Sequence, residues 1–280
     1  MQFAYANSSA TVKADVLVVP AFEESNPLAG YSFGAAVTKA SPKSKFKGKA
    51  GSSLMFPSNG TVSATWVVLL GLGKTKDANV QKIGETLANI FRSPKIDSLN
   101  IKHVAIALEV ASKVKGIDTQ DLARWCAEAA MLGGYQFNAL ISKKDKIKAR
   151  AAKVTLAGAS GAELKKGVAV GEVTSQYTAH ARDLVNEPSN RINPATLAKF
   201  AQQMAAKVPG LTCKVLKKPE IEKLKMGAFL GVNAGSKIPA HLIILVPERS
   251  VHRGKRCLSS YRTQELHGSL PNFRVRILQC

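Results

Sequence analysis

The chain is short of acid, sparing with cysteine and without a long apolar run. Its longest apolar stretches, such as Trp66–Leu70 and Leu242–Val246, fall far below the roughly 20 residues that a membrane-spanning helix needs. The N-terminal Met-Gln-Phe-Ala-Tyr-Ala-Asn lacks a basic leader region and an apolar core. That argues against a secretory signal and for a cytoplasmic protein with no membrane partner. Four cysteines, Cys126, Cys213, Cys257 and Cys280, lie far apart with no Cys-x-x-Cys. This reads as reduced thiols rather than a disulfide framework or a structural zinc site. His180, His241, His252 and His267 make no His-x-x-x-His pair. Cys257 with His252 and His267, or with Cys280, matches no common zinc spacing. Nothing singles out a Ser/His/acid or Cys/His triad.

Against 19 acidic residues stand 40 basic ones, a formal net charge of +21. Such an excess attracts polyanions at low salt whatever the fold. Weak, salt-sensitive nucleic-acid binding is therefore an expectation, with a lysine-rich solvated surface as the plainer reading. The excess is densest at the end, where residues 249–280 carry seven basic side chains and one acid. The acids also run out in a particular way. Asp183 is the last aspartate, and after Glu248 the only acid is Glu265.

Short apolar runs at Asp15–Phe22, Thr65–Gly71, His103–Leu108, Tyr135–Ile141 and Ala152–Ala157 read as strands. Helical patterns at Gly30–Lys39, Ala78–Phe91 and about Thr119–Leu132 lie between them, the last capped by Asp118 or Thr119. Strands alternating with helices imply an α/β domain with a largely parallel sheet. The turn Gly71-Leu-Gly-Lys-Thr75 suggests a phosphate loop. It fails on spacing, because that motif needs four residues between the first glycine and the Gly-Lys pair and this one has one. Lys43, Lys45, Lys47 and Lys49 read as a solvated loop. Lys143, Lys144, Lys146, Lys148 and Arg150 form the best local candidate for anion binding in the first domain, with a solvated connection as the alternative.

A long helical pattern, Gly161–Val185, then meets Pro188, which cannot continue a helix. Asn193 is a good N-cap and Pro194 suits the first helical position, so a new helix starts after a sharp elbow. Helix Ala195–Val208, strand Thr212–Leu216, short helix Pro219–Lys225 and strand Ala240–Val246 follow. They read as the first βαβ layer of a second α/β domain.

Three segments carry a family resemblance. Ala-Arg-Asp-Leu-Val-Asn-Glu-Pro-Ser-Asn at 181–190, followed by Pro-Ala-Thr-Leu-Ala, resembles the opening of the catalytic domain in the leucyl aminopeptidase (cytosol aminopeptidase) family. Met226 to Ser236 is similar to that family's Met-Gly-x-x-x-x-Val-x-x-Gly-Ser stretch. Ala127 to Phe137 resembles its last N-terminal-domain helix. The resemblance covers roughly residues 1–247. It implies a macro-domain-like N-terminal α/β domain joined by a long helix to an incomplete α/β aminopeptidase domain. The expected divisions are 1–160 for the first domain, 161–190 for the linker helix and elbow, 191–248 for the start of the catalytic domain, and 249–280 for a non-matching basic tail.

By resemblance, a full-length member removes N-terminal amino acids, leucine preferred, from peptide substrates. It does so as a homo-hexamer with two divalent metals, zinc, manganese or magnesium, held by lysine, aspartate and glutamate. The family carries these ligands on a Gly-Lys-Gly-x-x-Phe-Asp-x-Gly-Gly loop and an Asn-Thr-Asp-Ala-Glu-Gly-Arg stretch. Neither occurs here, and Gly254-Lys-Arg256 is only an echo of the first. Hard divalent ions need oxygen ligands that the second half lacks. The expectation is thus a homologue truncated before its metal ligands and inactive, with no catalytic, cofactor or metal residue to assign and no cofactor in this chain. The alternative is a non-catalytic basic module binding nucleic acid or subunits of the full-length enzyme. The change of composition after Glu248 suggests a shifted frame or misjoined exon, with a natural alternative C-terminus as the other explanation.

Overall fold

The computed structural model describes residues 1–24, 27–40, 46–94, 98–142 and 151–247. The basic run at 143–150, Lys43, Lys45 and the tail at 249–280, with Cys257, Cys280, His252 and His267, lie outside the described residues. The chain separates into two units, Met1–Asp183 and Leu184 onward.

The first unit is built on a six-stranded sheet. In chain order its strands are β1 (Gln2–Ala6), β2 (Val16–Ala21), β3 (Ser53–Pro57), β4 (Trp66–Gly71), β5 (His103–Ala107) and β6 (Lys153–Ala157). Across the sheet they run β1-β6-β5-β2-β4-β3. Every neighbouring pair is parallel except β3 with β4. Parallel neighbours need crossovers, and helices supply them: α1 (Gly34–Ala40), α2 (Val80–Arg92), α3 (Thr119–Gly133) and α4 (Ala162–Asn186).

Side chains of alternate residues leave opposite faces of a strand, so a strand covered on both sides must be apolar throughout. β2 is such a strand, buried at all six positions. Val16 and Val18 enter one core cluster with Ile83, Leu87 and Phe91 of α2 and Leu122 and Cys126 of α3. Leu17 and Val19 enter the other, with Val37 of α1 and the loop residues Leu28, Tyr31 and Phe33. Burial pushes the Cys126 thiol up to about 12, so it stays protonated and inert.

The helix layer is held close by small residues. A Cβ on Gly84 of α2 would lie 2.7 Å from the Trp125 ring of α3. One on Gly167 of α4 would lie 2.0 Å from the Gln120 carbonyl oxygen of α3. Thr174 of α4 also donates to Glu128 of α3 at 2.9 Å. Past the end of α3, the Tyr135 hydroxyl donates to Asp183 of α4 at 2.7 Å, and the Arg182 guanidinium stacks over the same ring. The expected strand at Tyr135–Ile141 is therefore corrected. That segment is irregular, and its tyrosine packs on α4 instead of pairing in the sheet. β1 and β3 were not anticipated. Both are edge strands with half-exposed patterns, which dilutes their apolar signal.

Asp15, just before β2, ties the first unit together at the N-terminal edge of the sheet. One carboxylate oxygen accepts the Lys102 and His103 amides at 2.7 and 2.8 Å. The His103 Nε2 sits 2.8 Å from the Thr155 hydroxyl of β6. Burial, then the Lys153 charge, hold the His103 pKa below the usual imidazole value, against opposing effects of Asp15 and a hydrogen bond to the Lys13 backbone. Folding thus favours the neutral ring. As pH falls below about 6.5 the unfolded chain takes the proton first, and this contribution is lost through the folded pKa. Stability is expected to drop as pH falls below about 6.5. His103→Gln should flatten that slope in urea titrations; an unchanged slope would exclude His103 as its source.

The second unit starts at the elbow. α5 (Pro194–Lys207) begins at Asn193, whose side chain accepts the Ala195 and Thr196 amides, while the Thr196 hydroxyl accepts the Asn193 amide. β7 (Leu211–Lys217), α6 (Lys218–Lys223), α7 (Gly227–Asn233) and β8 (His241–Pro247) follow. β7 and β8 are neighbours but antiparallel. This corrects the expected βαβ layer. Two short helices between the strands act here as a return, not as a parallel crossover. Ile243 and Leu245 of β8 face α5 with Cys213 and Val215. Leu242 and Ile244 face α6 and α7 with Leu216, Ile221 and Phe229. The continuous apolar run of β8 thus reflects cover on both faces.

Candidate functional site

In an open parallel sheet, ligands bind outside the carboxyl ends of the strands where the strand order reverses. Here that point is β2, flanked by β4 on one side and β5 on the other. The segments leaving β2 and β5 border the crevice. Leu28 and Tyr31 are buried in the cluster that also holds Ala21 and Ala107. The Tyr31 hydroxyl donates to the Pro20 carbonyl at 2.7 Å. Burial, with the Glu109 charge, keeps that phenol well above its usual pKa and neutral. Gly30, at φ +93°, brings the backbone against Val110, whose Cγ2 a Cβ would meet at 3.2 Å. The chain thus packs its own residues into the crevice.

Glu109 follows β5 directly. Its Oε1 accepts the Ser9 amide at 2.8 Å and the Ser9 hydroxyl. Its Oε2 is buried without a partner among the described residues. Gly158, after β6, makes room for it, since a Cβ there would lie 2.0 Å from the Glu109 carboxyl carbon. This carboxylate fastens the β1 and β5 loops. No motif marked it; the available signal was an acid placed immediately after a buried strand.

At the Gly71–Thr75 turn, amides that a phosphate cradle would use are already engaged. A phosphate site needs free backbone N–H groups. The Leu72 amide donates to Ala21 and the Gly73 amide to Gly48, each at 2.9 Å. The Thr75 hydroxyl donates to Glu24. A Cβ on Gly71 would meet the Lys49 carbonyl at 2.1 Å, so this glycine serves close packing.

Among the described residues the histidines and cysteines do not assemble. His180 lies on α4 edge-on to Tyr177, with Nδ1 buried and without a partner among the described residues. His241 opens β8, with Nδ1 3.0 Å from the Pro239 carbonyl. Cys213 is half-buried on β7. Among the described residues there is no group of three or more His, Cys, Asp or Glu side chains able to hold a metal. No described helix is long and apolar enough to cross a membrane.

The described carboxylates of the second unit are engaged locally. Glu187 pairs with Arg191 at 3.4 Å. Glu220 accepts the Lys217 amide at 2.9 Å at the start of α6. Glu222 lies 3.9 Å from Lys218. The segment 226–236 that carries the family resemblance forms α7 and a turn. There Asn233 Nδ2 donates to the Ile238 carbonyl and Ser236 Oγ accepts the Ile238 amide. A donor set of this kind does not fit a two-metal centre, which needs several convergent carboxylates.

Comparison with known proteins assigns these parts. Residues 18–144 match the N-terminal domain of the cytosol aminopeptidase family, and residues 179–256 match its catalytic domain. The second match runs slightly past the boundary expected at 248. A probable cytosol aminopeptidase of Alkaliphilus metalliredigens is 30% identical over 256 residues, 88% of this chain and 50% of the relative. One from Aquifex aeolicus is 32% identical over 201 residues, 72% of this chain and 38% of the relative. The chain thus spans about half the length, or less, of these relatives. Among solved structures, a mutant of tomato leucine aminopeptidase superposes with a TM-score of 0.71 at 22% identity, over 88% of this chain and 50% of that one. The bottromycin maturation enzyme BotP in complex with Mn gives 0.63 at 23% identity, over 83% and 45%.

Proposed function

The chain belongs to the cytosol aminopeptidase family, and on that premise we propose that its 280 residues carry the N-terminal domain and the opening layer of the catalytic domain without the chemistry. Aminopeptidase action on peptides, with leucine-like N-termini preferred and two divalent metals, belongs on this reading to longer members of the family. The observation that carries it is the fate of the acids. From Leu184 onward there is no aspartate. The described glutamates there, Glu187, Glu220 and Glu222, are each committed to a local ion pair or helix start. Rearranging them to bind metal would cost the elbow pair and the α6 start.

The test is hydrolysis of a leucine chromogenic substrate by the purified chain, with and without manganese, zinc or magnesium. Turnover indistinguishable from a no-protein control is expected, together with no metal-dependent rise in melting temperature. Metal-dependent leucine release that co-purifies with the chain would overturn the reading. A metal-induced stabilisation of several degrees without turnover would show that the donor set had been misjudged.

A further inference from the structure

Asparagine followed by glycine occurs once in the chain, at Asn59-Gly60. The pair bends the connection between β3 and β4. Both residues have positive φ, +48° at Asn59 and +79° at Gly60. The Thr61 amide donates to the Ser58 carbonyl at 3.0 Å and closes a turn around them. Positive φ at both central positions is the backbone that Asn-Gly favours in tight hairpin turns. The pair thus has a local structural role. The same two residues also carry a reaction.

The side-chain amide carbon of an asparagine lies one ring closure from the peptide nitrogen of the next residue. A Cβ on that next residue screens the nitrogen, and glycine has none. Here the nitrogen is accessible. Asn59 and Gly60 are both exposed. Neither the Gly60 amide nor the Asn59 side chain makes a hydrogen bond among the described residues. A Cβ on Gly60 would meet nothing within 4 Å, so the space beside it is open.

Other asparagines are withheld by the fold or by their neighbours. Asn79 caps α2 by accepting the Lys82 amide at 2.8 Å. Asn193 caps α5 and precedes Pro194, which has no N–H. The amide after Asn190, that of Arg191, donates to the Pro188 carbonyl at 2.9 Å. Asn233 Nδ2 is held by the Ile238 carbonyl.

We propose that Asn59-Gly60 is a site of spontaneous covalent modification, at which the side-chain amide is exchanged for an acid. The Gly60 peptide nitrogen gives up its proton and attacks the Asn59 side-chain carbon. A C–N bond forms, the bond to the side-chain nitrogen breaks, and ammonia leaves with the proton. Water then opens the cyclic imide at either carbonyl. One opening gives aspartate. The other gives isoaspartate, in which the chain runs through the side-chain carbon. Isoaspartate lengthens the backbone inside the turn and breaks the spacing that the Thr61–Ser58 bond requires. Among the described residues β3 pairs only with β4, so a broken turn frees the end of this edge strand. The inference does not depend on the aminopeptidase reading.

The experiment holds the freshly purified full chain in mildly alkaline buffer and samples it over time. Peptide mapping by mass spectrometry locates the new acid. An isoaspartyl methyltransferase with a labelled methyl donor scores isoaspartate. Asn59 is expected to convert about tenfold or more faster than any other asparagine of the folded chain, the gain from a nitrogen with no Cβ beside it. Gly60→Ala should slow conversion by about the same factor. Hydrogen exchange of β3 amides should quicken in the converted chain while that of β2 stays unchanged. Conversion first at another asparagine, an undiminished rate in Gly60→Ala, or β3 amides equally protected before and after would each overturn the proposal. Conversion of Asn59 in urea but not in the folded chain would overturn it as well, because the turn would then be withholding the nitrogen.

Discussion

Gly167→Ala is expected to destabilise the first unit by about 3 kcal/mol, the upper end of the cost of overpacking. Glycine in the middle of a helix is ordinarily a weakness, and alanine there would gain about 0.5–1 kcal/mol. At Gly167 the sign reverses, because the added Cβ would lie 2.0 Å from a backbone oxygen of α3, which cannot swing aside like a side chain. Gly171, one turn on, repeats the geometry at 2.6 Å from the Arg124 oxygen and 2.7 Å from the Ala127 Cβ. Either substitution must lift α4 off α3 and loosen Leu164 and Val168, which are 1% and 2% exposed. Gly231 of α7 is the internal control. A Cβ there meets nothing within 4 Å, so Gly231→Ala should be neutral or stabilising. Both tryptophans, Trp66 and Trp125, lie in the first unit, so fluorescence-detected urea unfolding reads that unit selectively. An unchanged midpoint for Gly167→Ala would mean that α4 is not held as described.

Hydrogen exchange should separate the two units by about 100-fold or more in the protection of their strand amides. β2, β4 and β5 lie inside a six-stranded sheet, covered on both faces by two extensive buried clusters. Among the described residues β7 and β8 pair only with each other. A two-stranded ribbon is marginal without substantial packing. Here that packing rests on two small clusters, with Leu216, Ile221, Ala240 and Leu242 buried in one and Ala198, Ala201 and Ile243 in the other. Large apolar side chains stay in water beside them. Val232 is 74% exposed and Leu224 55%. Opening the second unit therefore forfeits little burial, and its amides should exchange through frequent local unfolding. Amides of β7 and β8 as slow as those of β2 and β5 would show a cooperativity that these clusters do not supply.

The elements that could be read from sequence were those whose physical cause is local. Strand β2 is apolar at every position that it buries. Asn193 and Pro194 are a cap and a first-turn residue wherever they occur together, and they start α5 as expected. Asp118 caps α3 by accepting the Asp121 amide. The edge strands β1 and β3 escaped because half of each is exposed. Tyr135–Ile141 misled because an apolar run does not say whether its partner is a strand or a helix. Its tyrosine is claimed by Asp183, 48 residues away. The direction of β8 was likewise invisible, since nothing in either strand distinguishes a return from a crossover.

By itself the sequence determined the α/β class, the elbow between Pro188 and Pro194, the family, and the absence of aspartate after Asp183. These follow from composition, periodicity and short-range rules, each of which acts over a few residues. Only the tertiary structure decided the rest. It showed that Gly167 and Gly171 are demanded by a neighbouring helix while Gly231 is not, and that the Leu72 and Gly73 amides of the Gly71–Thr75 turn already donate to Ala21 and Gly48. It also joined Glu109 to Ser9 across 100 residues. Each of these depends on which distant backbone groups come within hydrogen-bond or van der Waals reach. That is set by the folding of the sheet, and no local pattern in the chain records it.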